Sequence, residues 1–177
     1  MREVVLYIAM SLDGYIAERN GNISWLGGDG SEPDDQGSYP EFIETVDTII
    51  LGYTTYHQLV TELVPEEWVY PDKKTYVLTH RKCQNSPEII FTDESISQLI
   101  TRLKAQEGKN IWICGGSAVI NQLLSKDIID RFCVTVIPIL LGDGIRLFTK
   151  QQEQRPLKLV STRSYNGMTD LVYERRK

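Results

Sequence analysis

Three short stretches carry residue types suited to one kind of chemistry. Leu51-Gly52-Tyr53-Thr54-Thr55, Leu78-Thr79-His80-Arg81 and Cys114-Gly115-Gly116-Ser117 each close an apolar run and open a helix or loop pattern. A helix N-terminus leaves backbone N–H groups unpaired and carries partial positive charge, and glycine lets an anionic oxygen approach them. Threonine and serine hydroxyls add donors, and His80, Arg81 and Lys82 add charge where a terminal phosphate lies. Together the three stretches suit a nucleotide diphosphate. The competing reading of Gly115-Gly116 is a tight turn that packs a strand closely against a helix. Three such turns in alternating units favour the cradle over the packing turn. No GxxxxGK[ST] segment exists, which disfavours a P-loop enzyme, and no intact GxGxxG supports an ordinary Rossmann site.

Other reactive side chains form weaker patterns. His57 and His80 are the only histidines and neither belongs to an HExxH motif. Cys83, Cys114 and Cys133 are odd in number and lack CxxC spacing, so neither a metal site nor a disulfide framework is expected. A nucleophilic hydrolase using a Cys or Ser with a His is disfavoured, because CGGSA is not the GxSxG elbow. Asp13 in the SLDG turn either orients a substrate or caps the turn, as Asp often does. Asp29, Asp34, Asp35 and Glu41 read mostly as solvated loop acids.

Alternating elements must position these stretches. Val- and Ile-rich runs predict strands over 3–9, 47–52, 74–79, 88–92 and 110–114. Helices are expected over 39–46, from 53 to 60 with Thr54 or Thr55 as cap, over 93–108 and over 117–126. Residues 130–140, 157–165 and 169–177 read as three further strands, the last two joined by the turn-forming Asn166-Gly167. The passage from Ser11 to Gly37 is long for a loop, and its Tyr15, Ile16, Ile23, Trp25 and Leu26 imply that it packs on something. The expected fold is α/β, with a mixed, mostly parallel central sheet flanked by helices and antiparallel C-terminal strands. In such sheets ligands bind outside the carboxyl ends of the strands, where the three glycine- and threonine-bearing stretches lie.

Composition narrows the classes. The chain has 177 residues, 41% of them hydrophobic, which suits one domain over 1–177. Lys and Arg total 19 against 24 acids, for a net charge of −5, so a nucleic-acid partner is not expected. The apolar runs are far shorter than the roughly 20 residues of a membrane crossing. No signal-peptide layout opens the sequence, and a cytoplasmic location is expected.

These motifs, in this order, resemble the dihydrofolate reductase-like family, and most closely the reductase domain of the riboflavin-biosynthesis bifunctional deaminase–reductase. VVLYIAMSLDGYIA is similar to the first strand and following turn of that family, and NGNISWL to its mobile loop. DTIILGYTTY resembles its strand–glycine–helix segment, YVLTHR its adenosine-side loop, and IWICGGSAVINQLL its pyrophosphate segment. PILLGDGIRLF (138–148) is similar to a signature of the riboflavin-type branch. The zinc-binding deaminase motifs have no counterpart, which implies a stand-alone reductase-like domain.

The resemblance implies NADPH as cofactor and hydride transfer to a C=O or C=N carbon of a small heterocycle. Ala9 and Ile16 would touch the nicotinamide. Gly52, Thr54 and Thr55 would hold the pyrophosphate together with Gly115, Gly116, Ser117, Ala118 and Val119. Thr79, His80 and Arg81 would surround the ribose and its 2′-phosphate, and Trp25 and Leu26 would belong to a lid. Asp13 would act through a water as proton source. Tyr53 departs from the family, which usually has an Arg there for the 2′-phosphate, so NADH is the alternative cofactor. The pterin-anchoring acid has no aligned equivalent, so dihydrofolate is not the expected substrate. A non-catalytic nucleotide-binding module is the competing function, and a homodimer is expected from the riboflavin-type branch.

Overall fold

A central sheet with its strand ends aligned is what brings the three stretches together. The structure is a computed structural model that describes residues 1–150 and 153–176. In chain order the elements are β1 (Val4–Ser11), β2 (Tyr15–Ala17), α1 (Tyr39–Glu44), β3 (Val46–Gly52) and α2 (Tyr53–Gln58). A π-helical turn (Leu59–Leu63), β4 (Lys74–Leu78), β5 (Ile89–Thr92), α3 (Ile96–Lys104), β6 (Asn110–Gly115) and α4 (Ser117–Ser125) follow. The chain ends with β7 (Arg131–Ile137), β8 (Ile145–Arg146), β9 (Leu157–Tyr165) and β10 (Met168–Arg175).

Eight strands form the main sheet in the order β5-β4-β3-β6-β1-β7-β10-β9. All pairings from β5 to β7 are parallel, and β10 then runs antiparallel to both β7 and β9. The expected mixed α/β architecture is the observed one. A two-residue register of alternation decides which side chain meets which layer. Ile50, Ile111 and Ile113 point to the face covered by α3 and α4, where Leu99, Ile100, Leu103, Ile120 and Leu123 complete the core. Ile49, Leu51 and Trp112 point to the opposite face, covered by α1 and α2. There Tyr7 stacks on Phe42 at 4.2 Å, and Trp112 meets Tyr70 edge-on at 5.2 Å. Strands buried on both faces explain why these runs read as continuous Val and Ile.

Several boundaries move for identifiable reasons. The helix expected over 93–108 is α3, which starts later because the Ser95 Oγ accepts the N–H of Gln98 and fixes the cap there. The strand expected over 130–140 stops at Ile137, before Pro138, which has no N–H to give the ladder. Neither Thr54 nor Thr55 caps α2. That helix begins at Tyr53 with Gly52 as its N-cap and no side-chain cap bond, so both threonines sit inside its first turn. Asn166 and Gly167 both take positive φ and turn β9 into β10, as two-residue hairpins require. The short β2–β8 pair was not legible in the sequence. The last residue of the strand expected over 169–177 lies outside the described residues.

The long polar passage packs on the β9–β10 hairpin. Asn166 accepts the N–H of Asp29 at its carbonyl and of Gly30 at Oδ1, each at 2.9 Å. Arg163 donates to both carboxylate oxygens of Asp35, and the buried Asp170 accepts from the Ser38 N–H and hydroxyl. Asp35 is therefore a structural acid of this loop, while the exposed Asp29 carboxylate accepts from the N–H and hydroxyl of Ser31. Among the described residues no helix is long and apolar enough to cross a membrane.

Candidate functional site

The carboxyl ends of β4, β3, β6 and β1 open into one cleft of about 1060 Å³. Adjacent strands lie about 4.8 Å apart, so the stretches after β4, β3 and β6 are consecutive steps along one edge. Ala9, Ile16, Gly52, Tyr53, Thr54, Thr55, Thr79, His80, Arg81 and the run Gly115 to Val119 all line this cleft. The structure thus gathers every one of these sequence-selected residues in one place.

At the centre, Gly115 ends β6 with φ +137°, a conformation glycine tolerates and other residues do not. A cis peptide joins it to Gly116. Gly116 is the N-cap of α4, and no side chain caps that helix. The free N–H groups of its first turn therefore remain available to a ligand oxygen. A Cβ on Gly116 would meet Thr55 Oγ1 at 3.2 Å, and one on Gly52 would meet Val119 at 3.3 Å. The two helix starts are that close because both positions lack side chains. The Ser117 hydroxyl, in contrast, donates to the Arg146 carbonyl at 2.6 Å, so Ser117 offers the cleft its backbone N–H and not its hydroxyl.

At the β4–β5 end, Thr79 Oγ1 accepts the N–H of Arg81 at 3.0 Å and shapes the turn. The Arg81 guanidinium lies 4.8 Å from the centroid of the Tyr53 ring. Asp93, Glu94 and Ser95, which follow the neighbouring strand β5 and carry no signal in the sequence, also line the cleft. Glu94 is paired with Arg102 at 2.8 Å.

The β1 end has a different character. Ile8 of β1 and Ile16 of β2 line it, and Ile23, Leu26, Leu59, Leu63 and Tyr70 add further apolar surface to the cleft. Most of these were missed because nothing in their local sequence marks them. Leu59 and Leu63 do continue the face of α2 at helical spacing, which was a usable signal. Tyr70 and Cys114 both line the cleft. Burial pushes the Cys114 thiol up to about 12, against the opposing pull of Tyr70, and burial likewise raises the Tyr70 hydroxyl. Both groups stay neutral. Gln58 donates from Nε2 to the Gly21 carbonyl at 2.8 Å and holds the 18–26 loop over the cleft.

Two selected residues stand outside the lining. The Trp25 indole donates to the Asn22 carbonyl at 3.2 Å within its own loop, and Ile23 and Leu26 face the cleft in its place. Asp13 accepts from Ser11 Oγ at 2.6 Å, from the Gly142 N–H at 2.7 Å and from the Leu141 N–H at 3.1 Å. The Ser11 hydroxyl first, then those N–H groups, hold its carboxyl below the usual range. Of its two readings the geometry gives the turn cap, because all its contacts tie the SLDG turn to residues 141–142.

Residues 2–173 match the RibD C-terminal domain. The chain belongs to that family. It is 40% identical over 177 residues to "Uncharacterized protein YwjB" of Bacillus subtilis, covering 98% of each chain. A putative riboflavin biosynthesis protein from Shewanella sp. PV-4 superposes with a TM-score of 0.85 at 25% identity, over 99% of both chains. Enterococcus faecalis dihydrofolate reductase, solved in complex with NADP(H), shares the fold with a TM-score of 0.66 at 18% identity, over 99% of this chain and 97% of that one. The RibD C-terminal domain seen here is thus a reductase-type fold of the dihydrofolate reductase-like kind. Its cleft, lying at the carboxyl edge of the sheet, is made by the segments on which the resemblance was first read.

Proposed function

We propose that this chain is a reductase whose cleft binds a reduced nicotinamide dinucleotide, NADPH with NADH as the alternative, for direct hydride transfer to a C=O or C=N carbon of a small pteridine- or pyrimidine-like substrate. The observation that carries the reading is the uncapped N-terminus of α4 behind Gly115-Gly116, opposite Thr54 and Thr55. Free N–H groups, helix polarity and missing side chains suit a pyrophosphate. Arg81, supported on Tyr53, is the cation available to a 2′-phosphate. Ala9 and Ile16 form the apolar floor for a nicotinamide ring, and the loop bearing Ile23 and Leu26 excludes water from it.

Isothermal calorimetry with NADPH, followed by absorbance at 340 nm in the presence of heterocyclic carbonyl and imine substrates, tests this. Saturable binding and NADPH consumption are expected. Absence of binding overturns the cradle; binding without consumption across the panel leaves a nucleotide-binding module instead.

A homodimer forms part of the proposal. β9 is one edge of the main sheet, and its Leu157, Leu159 and Val160 are exposed, a combination that invites pairing with another chain. Sedimentation equilibrium at the mass of one chain would remove it.

A further inference from the structure

We infer that the substrate pocket at the β1 end takes a flat, neutral, largely apolar ring system and rejects phosphorylated compounds. This rests on the reductase reading and narrows its substrate. The cleft is divided along the sheet. Its charged groups gather after β4 and β5, three and four strand spacings or roughly 14 to 19 Å from β1. Its β1 side carries Ile8 of β1 and Ile16 of β2, with Ile23 from the loop that follows β2.

The mouth repeats the pattern. Leu26, Leu63 and Ile145 come from three separate segments and line the opening with relative exposures of 39%, 45% and 39%. Large apolar side chains left exposed together around a concavity mark a binding surface for an apolar partner.

Charge is missing where a phosphate would need it. Among the described residues, Arg81 is the one Lys or Arg in the lining, and it stands at the far end on Tyr53. Two basic side chains beside β2, Arg19 just after it and Arg146 on its partner strand β8, are engaged elsewhere. Arg146 lies 4.7 Å over the Tyr15 ring and donates to its hydroxyl at 3.0 Å, and Arg19 is paired with Asp143. A phosphate here would lose its water and gain no counter-charge, an arrangement that is strongly unfavourable.

The test uses quinoline-2-carbaldehyde, a neutral heteroaromatic carbonyl, and ribose 5-phosphate, titrated by calorimetry into protein saturated with NADP+. Quinoline-2-carbaldehyde is expected to bind at least about tenfold tighter. Leu63→Arg and, independently, Leu26→Arg place a cation on the rim at exposed positions, with circular dichroism reporting the fold. Each should weaken the quinoline by about fivefold or more and strengthen ribose 5-phosphate. Equal or tighter binding of ribose 5-phosphate, or no binding of the quinoline, overturns the inference. NADP+ saturation is measured first. If it fails, the reductase reading fails, and the same titrations on the protein alone decide the apolar pocket separately.

Discussion

The guanidinium of Arg81 rests on the ring of Tyr53, 4.8 Å from its centroid. Tyr53, which the resemblance sets where the family usually has an Arg, thus supports an arginine from the next strand end. Stacking holds the planar guanidinium in one orientation while its N–H edge stays open to an oxyanion.

From that pair, Arg81→Ala should weaken NADPH by about 10- to 100-fold, the worth of a charge-assisted hydrogen bond or two. NADH, which has no 2′-phosphate, should change by less than about threefold. Tyr53→Ala should reproduce part of the loss by freeing Arg81. Calorimetry with both cofactors checks this, and equal losses for the two would withdraw the assignment.

Gly116 offers the most direct test of the cradle. A Cβ there meets only Thr55 Oγ1 at 3.2 Å, a hydroxyl able to yield by a few tenths of an ångström. Gly116→Val should therefore keep its circular dichroism spectrum and cooperative melt. Its methyl groups would stand where the pyrophosphate must approach the α4 N–H groups, and NADPH binding should fall by at least about a hundredfold. Unchanged affinity would count against the site.

Acid stability should report the carboxylates that hold loops together. Asp13 is depressed below its ordinary value of 3.8 by Ser11 and the N–H groups of residues 141–142. Asp130 is also depressed: burial pushes it up, but Lys104, the Val4 N–H and Arg175 outweigh that. A carboxyl with a lower pKa folded than unfolded stabilises the fold above its unfolded pKa, and that contribution is lost as pH falls through the folded value. The melting temperature should be level near neutrality and decline below about pH 4. Asp13→Asn should melt lower than the parent at pH 7, and the gap should close in acid; a gap independent of pH would contradict the cap.

Thiol labelling should separate the cysteines by environment. With Cys114 at about 12 and Cys133 at about 11, both raised mainly by burial, their thiolate fractions at pH 8 are roughly 10⁻⁴ and 10⁻³. Iodoacetamide should leave both unmodified in the native protein over hours and react only after denaturation. Peptide mass spectrometry reads the outcome, and rapid native labelling of Cys114 would show that the Tyr70 wall is open.

The sequence by itself determined the layered architecture and the glycine- and threonine-bearing edge of the cleft. Apolar runs such as DTIIL and NIWIC are buried on both faces, so burial writes itself into consecutive residues and the strands can be read directly. Glycine and threonine at the end of a run are local signals too, because cradle chemistry depends on the backbone beside them. Tertiary structure alone decided the rest. Asp13 in sequence could orient a substrate or cap its turn; the fold brings the Gly142 N–H to it from 129 residues away, a contact that fits the cap. Ile23, Leu63 and Tyr70 read as ordinary hydrophobes, and only the convergence of a loop, a π-helical turn and the segment before β4 makes them a pocket. Apolar walls of this kind have no sequence signature, since what distinguishes a pocket from a core is the space left between side chains.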